Sequence, residues 1–120
     1  MIMIIGVSAR ESASIISIEK EVVNLQQNSI TMQIKISKPT KEIIESMHIH
    51  QWPIWEKEES AFPWTYDAEE TCYILEGHIF VETQWETVEI QAGDLVVFPA
   101  GLSCKWDIKK AVRKHFSFSD

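Results

Sequence analysis

The groups best equipped for chemistry lie in the second half of the chain: Glu70, Cys72, Cys104, Lys114 and His115. Glu70 and Cys72 are two residues apart in an alternating run, and so are Cys104 and Trp106, so each pair shares one face of a strand. Trp64 and Tyr66 have the same spacing just ahead of them. A carboxyl group buried beside indole and phenol rings has its charged form disfavoured. Glu70 in such a place is therefore expected to titrate high and to act as general acid or base. The alternative is that Glu70 hydrogen-bonds Tyr66 or a backbone N–H and only organises its surroundings.

A thiol attacks as the thiolate, so Cys104 becomes a nucleophile only if a cation lowers its pKa. Lys114 is the inward-phase cation available, with His115 beside it; the strand phase leaves either able to point in. An inert core thiol is the commoner fate of a buried cysteine, and we favour it for Cys104. The pair His48-Ile49-His50 could also hold a metal, but it reads more simply as exposed strand histidines.

The elements that must position these groups are short strands. Ile30, Met32, Ile34 and Ile36 alternate with Thr31, Gln33 and Lys35 over Ser29–Ile36, the period of a half-buried strand. Ile2–Val7 and Ile15–Val23 read as earlier strands. Pro39 stops Ser29–Ile36, and Thr40 can cap a short helical turn over Lys41–Met47. His48–Trp55 alternates again and is expected as a strand, with Glu56–Ser60 as a charged loop. Glu70–Glu76, His78–Glu82, Thr87–Gln91, Leu95–Phe98, Ser103–Ile108 and Val112–Phe118 follow. The breaks between them are Gly77, a Thr83–Glu86 hairpin loop longer than a two-residue turn, Ala92-Gly93-Asp94, Pro99-Ala100-Gly101 and Lys109-Lys110. The last strand puts Val112, Lys114, Phe116 and Phe118 on one face. Many short strands without a long helix indicate an all-β antiparallel barrel or sandwich.

Composition bounds the rest. The 120 residues make one domain, and 45% are apolar, enough for a true core. A net charge of −7 argues against nucleic acid or an anionic membrane as partner. Two cysteines are too few for a disulfide scaffold, and the short apolar Met1–Val7 has no basic residues ahead of it as a signal peptide would. No run approaches the roughly 20 apolar residues of a membrane span. A cytoplasmic location is therefore expected.

The order Glu70, six residues, Gly77, then Gly93, five residues, Pro99, one residue, Gly101 resembles the two motifs of the cupin superfamily. Phe62-Pro63-Trp64, Glu70-Thr71-Cys72-Tyr73, Leu75-Glu76-Gly77, Gly93–Pro99, Cys104-Lys105-Trp106 and Lys114-His115-Phe116 look like the small single-domain cupins grouped with the cupin domain of ureidoglycine aminohydrolase. The resemblance covers about residues 38–119. It implies a jelly-roll β-barrel of six to eight strands, and by analogy an enzyme acting on a small nitrogenous or carbonyl metabolite. Metal-binding cupins carry His-x-His before the motif Glu and a further His after the second motif. Here those positions hold Trp64, Tyr66 and Cys104, and only Glu70 keeps its type.

The expectation is thus a single cupin-type jelly-roll barrel over residues 38–120 with one short helical turn, preceded by strands in residues 1–37 that could form a homodimer edge. Its interior should gather Trp64, Tyr66, Cys72 and Trp106 as ligand-binding residues, with Glu70, Cys104 and Lys114 as candidate catalytic groups. Trp52, Trp55 and Trp85 are assigned to packing or a dimer surface. No cofactor is expected; a divalent metal held by Glu70, Cys104 and Cys72, with Tyr66 phenolate as an outside ligand, is the alternative. The partner should be a small polar or aromatic molecule, with the enzyme reading as runner-up.

Overall fold

The computed structural model describes residues 31–119 of the chain. The expected strands Ile2–Val7 and Ile15–Val23, and most of the proposed dimer edge, lie outside these residues. The first described strand is β1 (Lys35–Ser37), much shorter than the alternation of Ser29–Ile36 implies. Ile34 is buried just ahead of it, but Ile36 is left 38% exposed. Helix α1 (Lys41–Ser46) follows, and the Thr40 hydroxyl accepts the Ile43 N–H at 3.2 Å as its N-cap.

The stretch after α1 departs from the expected strand. His48 takes the left-handed conformation (φ +55°), and Ile49–Gln51 form a 3-10 turn. The physical reason is Ile49: it is fully buried, whereas His48 and His50 are exposed. The apolar member of the alternation, and not the histidines, anchors the segment. The chain becomes extended again after Pro53, as β2 (Ile54–Lys57), and almost at once as β3 (Ser60–Thr65). The charged loop is therefore shorter than Glu56–Ser60.

Two strands dominate the rest. β4 (Glu69–Glu82) runs through Gly77, where a turn was expected. Its register against β7 (Ser103–Ser119) shifts on either side of Gly77, which marks bulges. Gly77 has φ +129°, and a Cβ there would stand 3.0 Å from Val112 Cα. Only glycine meets both conditions, so the strand bends here and does not end. β7 likewise continues through Lys109-Lys110, the other expected turn. The lysines stay exposed on the ladder, with His78 opposite Lys110 and Ile79 opposite Ile108.

β5 (Thr87–Gln91) and β6 (Leu95–Phe98) complete the sheet. In the hairpin before β5 the Thr83 hydroxyl accepts N–H groups from Trp85 and Glu86, so a threonine does the work of the missing glycine. Before β6 the Asp94 carboxylate accepts the Gln91 N–H at 2.7 Å.

The strands are antiparallel in the order β1-β6-β4-β7-β2, with β3 on the first half of β7 and β5 on the second half of β4. Because β4 and β7 bend, each serves two layers, and the sheet curls into an all-β cupin barrel. Its core is Ile74, Ile79, Val81, Ile90, Val96, Phe98 and Leu102, all at most 1% exposed. Among the described residues, no helix is long and apolar enough to cross a membrane.

Candidate functional site

A half-open cavity of about 760 Å³ lies in the barrel, within the size range of small-molecule sites. Its wall is aromatic: Trp55, Phe62, Trp64, Tyr66, Trp106, Phe116 and Phe118 all contribute. Its polar floor is Glu70 and Lys114; Glu56 and Lys57 of β2 also line it, with more exposed side chains. Strand geometry explains the meeting. β4 places Glu70 opposite Phe98 of β6 and Phe118 of β7. Lys114 stands opposite Ile74 of β4 and opposite Trp55 of β2. Its long stem reaches along the barrel interior, and its ammonium donates to Glu70 Oε2 at 2.6 Å. Both side chains are only 6% exposed.

The ammonium also lies 4.9 Å from the Trp55 ring centre and 5.0 Å from that of Trp106. It is held electrostatically by two ring faces and a carboxylate. The expectation for Glu70 assumed a carboxyl group alone among aromatic rings. The structure gives it a buried cationic partner, and neither Tyr66 nor a backbone N–H is its hydrogen-bond donor among the described residues.

Tyr66 follows β3 and is pinned by its backbone: its N–H donates to Leu102 O at 2.9 Å and its carbonyl accepts from Gly101 N at 2.6 Å. Its ring stacks on Phe98, with centres 4.7 Å apart and planes within 11°. Its hydroxyl accepts the indole N–H of Trp106 at 3.2 Å. Burial, reinforced by the nearby Glu70 carboxylate, raises the phenol well above its ordinary range.

The thiols do not join the wall. Cys72 is fully buried behind it, and burial pushes its pKa up to about 12, against a smaller lowering by Lys114. Cys104 pairs with Trp64 across β3 and β7, and burial pushes its pKa up to about 11. The condition for Cys104 as nucleophile is a nearby cation that lowers its pKa. Lys114 is held by Glu70, and Cys104 moves the other way. Both cysteines are free and remain thiols at neutral pH.

Trp64 is 51% exposed and stands at the rim with Phe118, 55% exposed. Four aromatic wall residues were not singled out in the sequence as ligand contacts. Phe116 and Phe118 share the inward phase with Lys114, so their alternation was an available signal. Phe62 shares the phase of Trp64. Trp55, assigned to packing or a dimer surface, enters the cavity because of its register opposite Lys114, which only the fold supplies. His115, next after Lys114, is buried elsewhere; its Nδ1 lies 2.8 Å from the Trp52 carbonyl, and His50 meets its ring edge-on.

The model of the EutQ-like cupin domain matches residues 45–116, which span the cavity strands and both cupin motifs. The chain belongs to the EutQ-like cupin family. It is similar to a solved DUF861 family protein from Thermotoga maritima, with 49% identity, a TM-score of 0.71, and coverage of 72% of this chain and all of that one. It is also similar to the solved EutQ of Salmonella typhimurium LT2, with 29% identity, a TM-score of 0.50, and coverage of 54% and 53%. Among curated proteins it matches acetate kinase EutQ of Salmonella typhimurium (strain LT2), 36% identical over 52 residues. That match spans 43% of this chain but only 23% of the curated relative's length.

Metal-binding cupins raise the question of a divalent ion, and the residues of this EutQ-like cupin do not fit one. Of the four positions, one is the rim tryptophan Trp64, which offers an ion no ligand atom, one is Tyr66, whose hydroxyl accepts from Trp106, and one is Cys104. The fourth, Glu70, already holds an ammonium at 2.6 Å, where the charge of an ion would be needed. Among the described residues no three His, Cys, Asp or Glu side chains converge as a metal set.

Proposed function

We propose that this EutQ-like cupin is a small-molecule binding protein whose cavity takes a ligand with a flat apolar body and a polar edge, without a metal. The observation that carries this reading is the Lys114–Glu70 pair, buried at the floor of a largely aromatic cavity of about 760 Å³. Aromatic faces supply stackable area at low entropic cost, and a few fixed polar groups set orientation. The ammonium balances the carboxylate internally, a task a metal performs in other cupins. The ureidoglycine aminohydrolase likeness remains an analogy of motifs, and its metal chemistry is not part of this reading. The kinase activity named for the Salmonella EutQ belongs to that protein, most of which lies outside the match.

Equilibrium dialysis tests the reading. Chelator-treated protein, purified without a metal column, should take up benzamide or toluene saturably at one molecule per chain. Added zinc or manganese should leave that uptake unchanged. Absence of saturable uptake of either probe would sink the binding reading. Uptake that vanishes with chelator and returns with metal would overturn metal independence.

A further inference from the structure

The polar floor carries more hydrogen-bonding capacity than the protein itself uses. An ammonium has three N–H donors, and Lys114 gives one to Glu70; among the described residues it makes no other hydrogen bond. A carboxylate has two acceptor oxygens. Only Oε2 of Glu70 is bonded among the described residues, which leaves Oε1. The Tyr66 hydroxyl accepts from Trp106, so its own proton remains to be donated. All three residues line the cavity, and all are at most 5% exposed. Trp106 joins the two donor groups: its indole N–H reaches the Tyr66 hydroxyl at 3.2 Å, and its ring centre lies 5.0 Å from the Lys114 ammonium.

Resting on the binding reading above, we propose that the ligand is a neutral carbonyl compound that carries its own N–H, such as an amide, lactam or urea on a planar body. Its carbonyl oxygen accepts from Lys114 and Tyr66, and its N–H donates to Glu70. The competing chemistries each leave a penalty. A carboxylate ligand brings a second negative charge beside Glu70, where the buried cation, Lys114, is already paired; Lys57, the other cation lining the cavity, has a side chain 39% exposed and cannot offset that charge at the floor. An ammonium ligand does the same with positive charge beside Lys114. A hydrocarbon leaves three buried donors, two on Lys114 and one on Tyr66, and an acceptor unsatisfied once it excludes water. A neutral group with both an acceptor and a donor engages Lys114, Tyr66 and Glu70 together and preserves the floor's charge balance. The indoles of Trp55 and Trp106, which flank the ammonium, are then placed to stack on the ligand's flat body.

Four probes of one shape separate these cases: benzamide, benzoate, benzylamine and toluene, titrated into the full chain at pH 7 by calorimetry. Benzamide should bind most tightly, by at least about tenfold over each of the others, the difference expected from a satisfied against an unsatisfied buried polar group. Tyr66→Phe should narrow the preference for benzamide over toluene several-fold. If benzoate, benzylamine or toluene binds as tightly as benzamide, the ligand class is wrong while the binding reading stands. If none of the four binds, both fall.

Discussion

Lys114→Met is expected to lower the unfolding free energy by about 3–5 kcal/mol at pH 7, and Glu70→Gln by a comparable amount, because each removes one partner from a buried pair. The charge left behind has lost its main compensation: Glu70 is 4% exposed and Lys114 5%. The cation–π contacts with Trp55 and Trp106 cannot replace a carboxylate for a stranded ammonium, since such contacts contribute only about 2 kcal/mol even when desolvated. The double variant Lys114→Met/Glu70→Gln should recover most of the loss, because it strands no charge. Urea unfolding of the four proteins gives the coupling directly. Singles that each cost under about 1 kcal/mol and simply add would mean that the pair is solvated and independent, contrary to its burial.

Phe98→Ala should cost about 3–5 kcal/mol, the range for removing a large buried aromatic side chain. Phe98 is fully buried, stacks on Tyr66, and lies 5.7 Å from the Trp106 ring centre. It also pairs with Glu70 across β4 and β6. The substitution therefore removes apolar burial and the platform behind two cavity residues together. Phe98→Leu, which keeps most of the volume, should cost less than about 1.5 kcal/mol. Thermal unfolding measures the stability loss. Near-ultraviolet circular dichroism should lose its aromatic bands in Phe98→Ala and retain them in Phe98→Leu. Equal losses in the two variants would show that ring stacking, rather than filled volume, sets the cost.

The barrel was legible where the residue pattern had one solution. Glu70–Glu76, Thr87–Gln91 and Leu95–Phe98 lie within or coincide with strands, and the cupin motifs select their arrangement. The misread places are those where one residue type has two structural uses. Gly77 reads as a turn, but its positive φ also suits a bulge, and only the approach of Val112 decides between them. His48-Ile49-His50 reads as alternation, but whether the histidines or Ile49 face inward depends on what packs behind them. In the site, Glu70, Tyr66 and Trp106 were expected inside the barrel, and the phase of the last strand left either Lys114 or His115 able to point in. The pairing was not legible: Lys114 meets Glu70 because of the β4–β7 register and the length of a lysine stem. That same pairing ties up Lys114, the cation considered for Cys104. Trp55 was invisible for a related reason, since its place in the cavity follows from standing opposite Lys114.

The most direct test of the account is fluorine NMR of the chain labelled with 5-fluorotryptophan, treated with chelator and titrated with benzamide. The five tryptophans, at 52, 55, 64, 85 and 106, give five resonances that single Trp→Phe variants assign. Trp55 and Trp106 should shift together and saturate, and Trp85, on the hairpin away from the cavity, should not move. Unmoved Trp55 and Trp106 resonances, or a shift confined to Trp85, would contradict a metal-free aromatic binding cavity built around Lys114 and Glu70.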